Sequence, residues 1–223
     1  MKILIIGSEN QYNTLSNKLG DKHSYTYLES VVPDTSFFEQ QEVLFDFTIE
    51  EETEGFDVYS NLEHLTVFIN VPKLSLAEVA YYTSSISCRL FGFNGLPTFF
   101  DGELWEISAY STSDHKVLNE ICNSLSIQYK LVDDRIGMVA PRVVCMIINE
   151  AYFTVQEGTA SKEDIDKGMK LGTNYPYGPF EWCAKIGVNH VYELLEAVYN
   201  DTKDERYKIC PLLKKEYLEL ANN

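Results

Sequence analysis

The chain has 223 residues, of which 45% are hydrophobic, including 15 Tyr and 12 Phe, and this composition supports folded cores and excludes an intrinsically disordered chain. The formal net charge is −16, and most of it lies in residues 1–133, where seven Lys and Arg stand against 20 Asp and Glu. Because so acidic a surface repels nucleic acids and anionic membranes, neither is expected as a partner.

The five cysteines favour a reducing compartment. Their number is odd and the sequence contains no C-x-x-C pair, which argues against both a disulfide framework and a zinc site. The apolar start of the chain is too short for a signal peptide, and no apolar run reaches the length of about 18 residues that a membrane helix needs. We therefore expect a soluble cytoplasmic protein that binds no metal.

Residues 2–6 form a continuous apolar run, which predicts a buried parallel strand ending at Gly7. A strand, a glycine and a helix at an N-terminus are typical of dinucleotide-binding units, in which three glycines let the backbone approach a pyrophosphate. Here Gly7 occupies the first glycine position, whereas Glu9 and Tyr12 occupy the second and third. Glu9 places a negative charge where a phosphate would come closest, and Tyr12 places a large ring where helix and strand should pack. The fingerprint is therefore broken.

A second predicted strand, residues 25–28, is followed by Glu29, close to where such units place the carboxylate that binds a ribose hydroxyl. In an acidic chain Glu29 is equally compatible with an ordinary surface position. Four carboxylates in residues 50–54 are interpreted as a solvated face rather than a metal site. Further strands are predicted over residues 44–49, 65–71 and 129–132, and helices over residues 74–83 and 114–124.

From residue 134 onward the pattern becomes helical. Apolar residues at helical spacing predict one long helix that begins near Pro141 and ends near Gly158. Ser161 and Asp164 predict the start of a second helix that ends at Gly172. A turn over residues 173–180, a third helix over residues 191–199 capped by Asn189, and a last helix over residues 211–220 complete the prediction.

The segments NEA, EGTASKEDID and MKLGTNYPYGPFEW in this region resemble the C-terminal domain of the L-3-hydroxyacyl-CoA dehydrogenases, including the 3-hydroxybutyryl-CoA dehydrogenases. The resemblance implies an α/β fold: a reduced Rossmann-like domain with a mostly parallel sheet over residues 1–133, then an all-α dimerisation domain over residues 134–223. It also implies an acyl-CoA ligand, NAD as cofactor, held near Gly7 and Glu29, and a homodimer formed through the helical domain.

The same resemblance assigns candidate catalytic positions. The family's catalytic histidine, which accepts the proton of the substrate hydroxyl, falls on Asn94, and neutral Asn cannot accept a proton near pH 7. Glu106 takes the place of the carboxylate that orients this histidine, although it is equally typical of a solubilising glutamate on an edge strand. Pro141 replaces an asparagine that reaches the substrate carbonyl region.

The segment Asn-Thr-Ser-Ser of the family, in which a serine helps to hold the 3-oxygen of the substrate, retains only Asn70, with Pro72 and Lys73 at the serines. These observations leave three alternative hypotheses for the function. One is NAD-dependent oxidation of an L-3-hydroxyacyl-CoA, supported by ancestry and by Glu106. Another is a non-catalytic dimer that binds acyl-CoA, regulates or acts as a scaffold. This hypothesis is favoured because the residues needed for packing match the family, whereas the residues needed for catalysis do not. The third is new chemistry at the same cleft.

Overall fold

The structure is a computed structural model that describes residues 1–221, and the chain divides into two compact units. The sheet unit comprises residues 1–95 and 99–138, and the helical unit comprises residues 96–98 and the chain from residue 139 onward. The predicted boundary after residue 133 is too early. The Asp134 carboxylate accepts hydrogen bonds from the backbone N–H groups of Leu76 and Ala77, at 2.8 and 3.0 Å, and Gly137 N–H donates to the Pro72 carbonyl at 2.7 Å. These bonds hold residues 134–138 to the sheet unit.

The sheet unit contains one seven-stranded sheet in the order β2-β1-β3-β4-β5-β6-β7. Every neighbouring pair is parallel except β5 and β6, which are antiparallel. The strands are β1 Lys2–Ile6, β2 Ser24–Leu28, β3 Val43–Asp46, β4 Thr66–Asn70, β5 Arg89–Phe93, β6 Leu104–Ala109 and β7 Gln128–Leu131; the helices are α1 Glu9–Leu19, α2 Leu76–Tyr82 and α3 His115–Ser124.

Both faces of this sheet are covered, which explains the continuous apolar strands. Ile3 and Ile5 face a core shared with α1 and α3, whereas Leu4 and Ile6 face a second core shared with α2. The predicted strand over residues 44–49 is wrong at its end. It stops at Asp46 because the side chain of this residue accepts hydrogen bonds from the backbone and hydroxyl of Thr48, both at 2.7 Å, and this contact turns the chain.

The helical unit is built around α4 Ala140–Gln156, which packs against each of the four other helices: α5 Lys162–Thr173, α6 Pro179–Ile186, α7 Val188–Thr202 and α8 Pro211–Ala221. The predicted long helix and the Ser161 cap are confirmed. The predicted turn over residues 173–180 is wrong at its end, because Pro179 starts α6. Asn189 is not a cap, since Gly187, at φ +103°, already precedes the first turn of α7. No helix within residues 1–221 is long and apolar enough to cross a bilayer.

Candidate functional site

The carboxyl ends of the parallel strands bring most of the predicted site residues to one edge of the sheet. Gly7 follows β1, Asn70 ends β4 and Asn94 follows β5. From β1 the chain first adds β2 on one side and then crosses to add β3 on the other side, so a topological switch point lies between the parallel strands β1 and β3. Open α/β sheets bind ligands outside the carboxyl ends of the strands at such a point. The predicted cofactor and substrate positions thus belong to one edge of the sheet unit.

Asn70 is held in a fixed orientation at this edge. Its side chain is only 6% exposed, and its Oδ1 accepts a hydrogen bond from the Gly95 backbone N–H at 2.7 Å. A buried, oriented carboxamide can bind a polar ligand by hydrogen bonds. It is not an acid or a base near neutral pH.

Asn94 follows β5, and Glu106 lies on the neighbouring strand β6. The antiparallel register ends with Phe93 paired to Ile107, so Asn94 comes directly after the last paired residue of β5 and Glu106 directly precedes its partner. Asn94 is buried and Glu106 is half-buried. The alternative in which Glu106 lies on an edge strand is wrong, because β6 is paired on both sides. The sheet unit thus has a buried neutral amide where the resemblance places a histidine.

Lys73, at a position where the family has a serine, is bound to Glu50 by a hydrogen bond and an ion pair. The Lys73 backbone N–H donates to Glu50 Oε1 at 2.7 Å, and its ammonium group lies 3.5 Å from Oε2. Both side chains are largely buried. Glu50 therefore differs from the exposed carboxylates at positions 51, 52 and 54, which form the predicted solvated face. Among residues 1–221, no three His, Cys, Asp or Glu side chains are grouped so that they could hold a metal ion.

The first turn of α1, next to Gly7, is capped by its own side chains. Ser8 Oγ accepts from the Gln11 backbone N–H at 3.3 Å, and Gln11 Oε1 accepts from the Ser8 backbone N–H at 2.8 Å. A Cβ atom on Gly7 would lie 2.5 Å from Gln11 Oε1, so the Gln11 side chain fills the space beside the glycine. Glu9 is exposed in the same turn. These residues do not fit the pyrophosphate of a dinucleotide.

The predicted ribose position is also strongly acidic. Glu29 is exposed directly after β2. The ring of Tyr12 lies 5.1 Å from the ring of Tyr27, which confirms that Tyr12 packs between helix and strand. Partial burial and then the neighbouring carboxylates of Glu29 and Glu9 raise the pKa of Tyr27. Two carboxylates, Glu9 and Glu29, thus lie near Tyr27 at the predicted ribose position.

Pro141 belongs to the helical unit, where it is buried in the first turn of α4. Its ring presents neither a side-chain amide nor a backbone N–H. This position supplies the helix start that the sequence predicts. It cannot supply the hydrogen-bonding group that the family has there.

The segment YPYGPFEW is held by a contact that sequence reasoning missed. Asp166 of α5 accepts hydrogen bonds from the backbone N–H groups of Phe180 and Glu181, at 2.8 and 3.0 Å, and so caps the N-terminus of α6. A Cβ atom on Gly178 would lie 2.3 Å from Asp166 Cγ. Asp166, the last residue of KEDID, and Gly178, the glycine of YPYG, therefore belong to one contact. Sequence reasoning misses this contact because the two residues are far apart in the chain.

A second cluster in the helical unit links α8 to α4 and α5. Tyr152 Oη donates to Glu216 Oε2 at 2.6 Å, and the Lys162 ammonium lies 2.6 Å from Glu216 Oε1. Lys162 also stands over the Tyr152 ring at 5.0 Å. Burial raises the pKa of Tyr152, so this hydroxyl stays protonated and serves as a hydrogen-bond donor. The cluster fastens the last helix to the unit.

Comparison with known proteins agrees with this architecture. Residues 137–220 match the family model of the 3-hydroxyacyl-CoA dehydrogenase C-terminal domain. The chain is 46% identical over 87 residues to the 3-hydroxyadipyl-CoA dehydrogenase of Escherichia coli K12, a match that covers 39% of this chain and 18% of that protein. The probable 3-hydroxybutyryl-CoA dehydrogenase of Bacillus subtilis is 32% identical over 157 residues, which cover 68% of this chain and 54% of that relative. The chain therefore spans well under two thirds of the length of these curated relatives.

Solved structures extend the similarity to the whole fold. The crystal structure of (S)-3-hydroxybutyryl-CoA dehydrogenase from Ralstonia eutropha matches 98% of this chain and 93% of its own, with a TM-score of 0.78 at 19% sequence identity. The predicted fold, a Rossmann-like unit with a mostly parallel sheet followed by helices, is thereby confirmed. The helical unit therefore matches the C-terminal domain of the 3-hydroxyacyl-CoA dehydrogenases, and the resemblance that the sequence predicts is confirmed for this unit.

Proposed function

We propose that this protein is a cytoplasmic homodimer that binds an acyl-CoA thioester without oxidising or reducing it. The observation that carries the proposal is the buried Asn94 directly after β5, where the resemblance places the proton-accepting histidine of the family. An amide can donate a hydrogen bond to the 3-oxygen of a ligand, but it cannot take up the proton that must leave when a hydroxyl becomes a ketone.

Two further positions support the loss of redox chemistry. Lys73 stands at a family serine and is engaged with Glu50, and Pro141 has no amide side chain. These departures lie in separate segments of the chain, whereas the packing positions Gly178 and Pro179 are retained. The oriented Asn70 and the buried Asn94 remain as carboxamides that can hydrogen-bond the oxygens of a thioester. The five free cysteines support a cytoplasmic location.

Two measurements test this function. Calorimetric titration with acetoacetyl-CoA is expected to show saturable binding, and consumption of NADH with the same compound is expected to stay at the level without enzyme. Asn70→Ala should weaken acetoacetyl-CoA binding about tenfold, which corresponds to the loss of one hydrogen bond. Asn123→Ala, an exposed asparagine on α3, is the matched control and should change nothing. Absence of acetoacetyl-CoA binding, or steady NADH turnover, would contradict the proposal.

The alternative is an active NAD-dependent dehydrogenase of L-3-hydroxyacyl-CoA, and the retained Glu106 is the observation that favours it. Restoring the family residues with Asn94→His and Pro141→Asn separates the two functions. We expect no gain in acetoacetyl-CoA reduction, and Asn94→Gln with the same Pro141→Asn serves as control. If the histidine variant alone gains about 10²-fold or more, the range of general-base catalysis, the nucleotide cleft is intact and the dehydrogenase is the better description.

The homodimer is proposed from the surface of α4 and α5. No residue of α5 is buried, although Ile165 and Met169 lie on it and Leu171 is 78% exposed. On α4, Val143 is 55% exposed and lies one turn before Ile147. Between the two helices is a depression of about 240 Å³ lined mainly by apolar side chains: Ile147, Ala151, Thr154, Ile165, Met169 and Pro179, with Glu150.

The proposed occupant of the α4–α5 face is a second copy of this chain, because residues 134–223 carry 11 basic against 14 acidic residues, so two helical units repel each other much less than two of the strongly acidic sheet units would. Light scattering should give twice the chain mass of 25.6 kDa. Ile147→Glu with Met169→Glu should give the monomer mass with unchanged circular dichroism. Leu104→Glu, an exposed leucine of the sheet unit, is the control and should remain dimeric. A wild-type monomer would contradict the proposal.

A further inference from the structure

Phe47 lies directly across the switch point of the sheet. It follows β3, and its backbone N–H donates to the Ile6 carbonyl at 2.9 Å, which places it beside the residue that precedes Gly7. The side chain is only 6% exposed. Its ring centroid lies 5.1 Å from that of Phe93 and 5.4 Å from that of Phe100, in edge-to-face contact with both. An aromatic cluster therefore occupies the carboxyl ends of the central strands.

Two glycines show how closely the Phe47 side chain is fitted there. A Cβ atom on Gly7 would lie 3.0 Å from Phe47 Cβ, and a Cβ atom on Gly95 would lie 2.9 Å from Phe47 Cδ1. The first distance is at the end of β1 and the second is just beyond β5. Phe47 thus spans the edge from the first strand of the motif to the loop that Asn70 holds.

The Gln11 side chain also lies beside Gly7. Its Oε1 lies 2.5 Å from the Cβ position of Gly7 and is bonded to the Ser8 backbone N–H. Ligands of open α/β sheets occupy the space outside the strand ends at the switch point. In this chain the space beside Gly7 is already filled by the Phe47 Cβ and by the Gln11 carboxamide, and the Phe47 ring extends to Gly95.

We infer that Phe47 and Gln11 form an internal plug that replaces a dinucleotide in this unit. The plug closes the crevice beside Gly7 and supports the loop at Gly95, so that the unit needs no cofactor to hold Asn70 in place. This inference concerns the nucleotide crevice alone and does not depend on acyl-CoA binding. The two can therefore fail independently.

The test compares NADH binding to the wild type and to an opened variant, Phe47→Val with Gln11→Ala. Calorimetry with NADH at up to about 1 mM should detect no saturable binding to the wild type, and the opened variant should bind at least about tenfold more tightly than that limit. Phe91→Val is the matched control, because Phe91 is buried in the same aromatic core but lies in mid-strand, away from both glycines. It should not gain NADH binding.

Two results would overturn the inference. One is saturable binding of NADH to the wild type, and the other is an opened variant that binds NADH no better than the Phe91→Val control. If Phe47→Val prevents folding, Gln11→Ala alone carries the test by thermal shift, because a ligand that binds only the folded state raises the melting temperature. In that format NADH should stabilise Gln11→Ala and leave the wild type unchanged, and no difference between them would contradict the plug.

The proposed support of the loop at Gly95 can be tested separately, by tryptophan fluorescence. Trp105 Nε1 donates to the Phe100 carbonyl at 2.8 Å, and its ring stacks on Phe93 at 5.5 Å. In a Trp182→Phe background Trp105 is the remaining tryptophan. Phe47→Val should then shift the Trp105 emission to longer wavelength as water reaches the loop, and an unshifted spectrum would count against the supporting role.

Discussion

The cap that Asp166 places on α6 can be removed by one substitution, Asp166→Ala. Its carboxylate accepts from the backbone N–H groups of Phe180 and Glu181, and these amides have no acceptor within their own helix. Loss of an N-cap side chain costs about 0.5–2 kcal/mol, and hydrogen bonds to a charged group are at the upper end of the range. Since Asp166 is half-buried and makes two such bonds, we expect a loss of about 2 kcal/mol in the free energy of unfolding.

Urea unfolding followed by circular dichroism measures this loss. The midpoint should fall while the slope with urea stays constant, because the surface exposed on unfolding is unchanged. Glu163→Ala is the matched control: it removes the same charge from an exposed position of α5 and should stay within about 0.5 kcal/mol of the wild type. If Asp166→Ala also stays within that range, the capping argument is refuted.

Gly178→Ala approaches the same contact from the other side. The backbone at Gly178 has φ −72° and ψ 161°, which alanine adopts without strain. A new Cβ would nevertheless lie 2.3 Å from Asp166 Cγ and 2.4 Å from its Cβ, so that α5 must shift. We expect a cost of about 1–3 kcal/mol in the same assay, in addition to any loss of the cap. Tolerance of Gly178→Ala would show that the two helices are not closely packed here.

Three further predictions concern the sheet unit. Tyr59→Phe removes the 2.5 Å hydrogen bond from the Tyr59 hydroxyl to the fully buried Asp46 and should lower the free energy of unfolding by about 1–3 kcal/mol; an unchanged urea midpoint would contradict this. Burial raises the pKa of Asp46, so the stability contributed by the protonated acid is present at low pH and lost as the pH rises through the folded-state pKa. The stability advantage of the wild type over Asp46→Asn should therefore shrink between pH 4 and pH 7, and an advantage that grows would show the opposite shift. Burial also raises the pKa of Cys88 and Cys122 to about 12, so both thiols should resist a disulfide reagent at pH 8 and react after unfolding; rapid labelling of the native protein would contradict their burial.

Much of the fold follows from local sequence patterns. The apolar run before Gly7 and the helical spacing after Pro141 each report how a short segment buries its own side chains, and both elements are found where they were expected. The Ser161 cap is equally local, because its partner Asp164 is three residues away. The neighbouring strands that carry Glu106 and lead to Asn94 are not local features, and their pairing is given by the folded sheet.

The sequence by itself determined the types of the main elements, the order of the two units and the absence of a histidine from the position of the family's base. Only the tertiary structure decided that residues 134–138 stay with the sheet, that β6 is an interior strand, that Asp166 caps a helix beyond Gly178, and that Phe47 reaches two glycines at the ends of different strands. The physical reason is that periodicity and caps arise from interactions within a few residues along the chain. A hydrogen bond or a steric contact between distant segments depends on the folded backbone that brings them together.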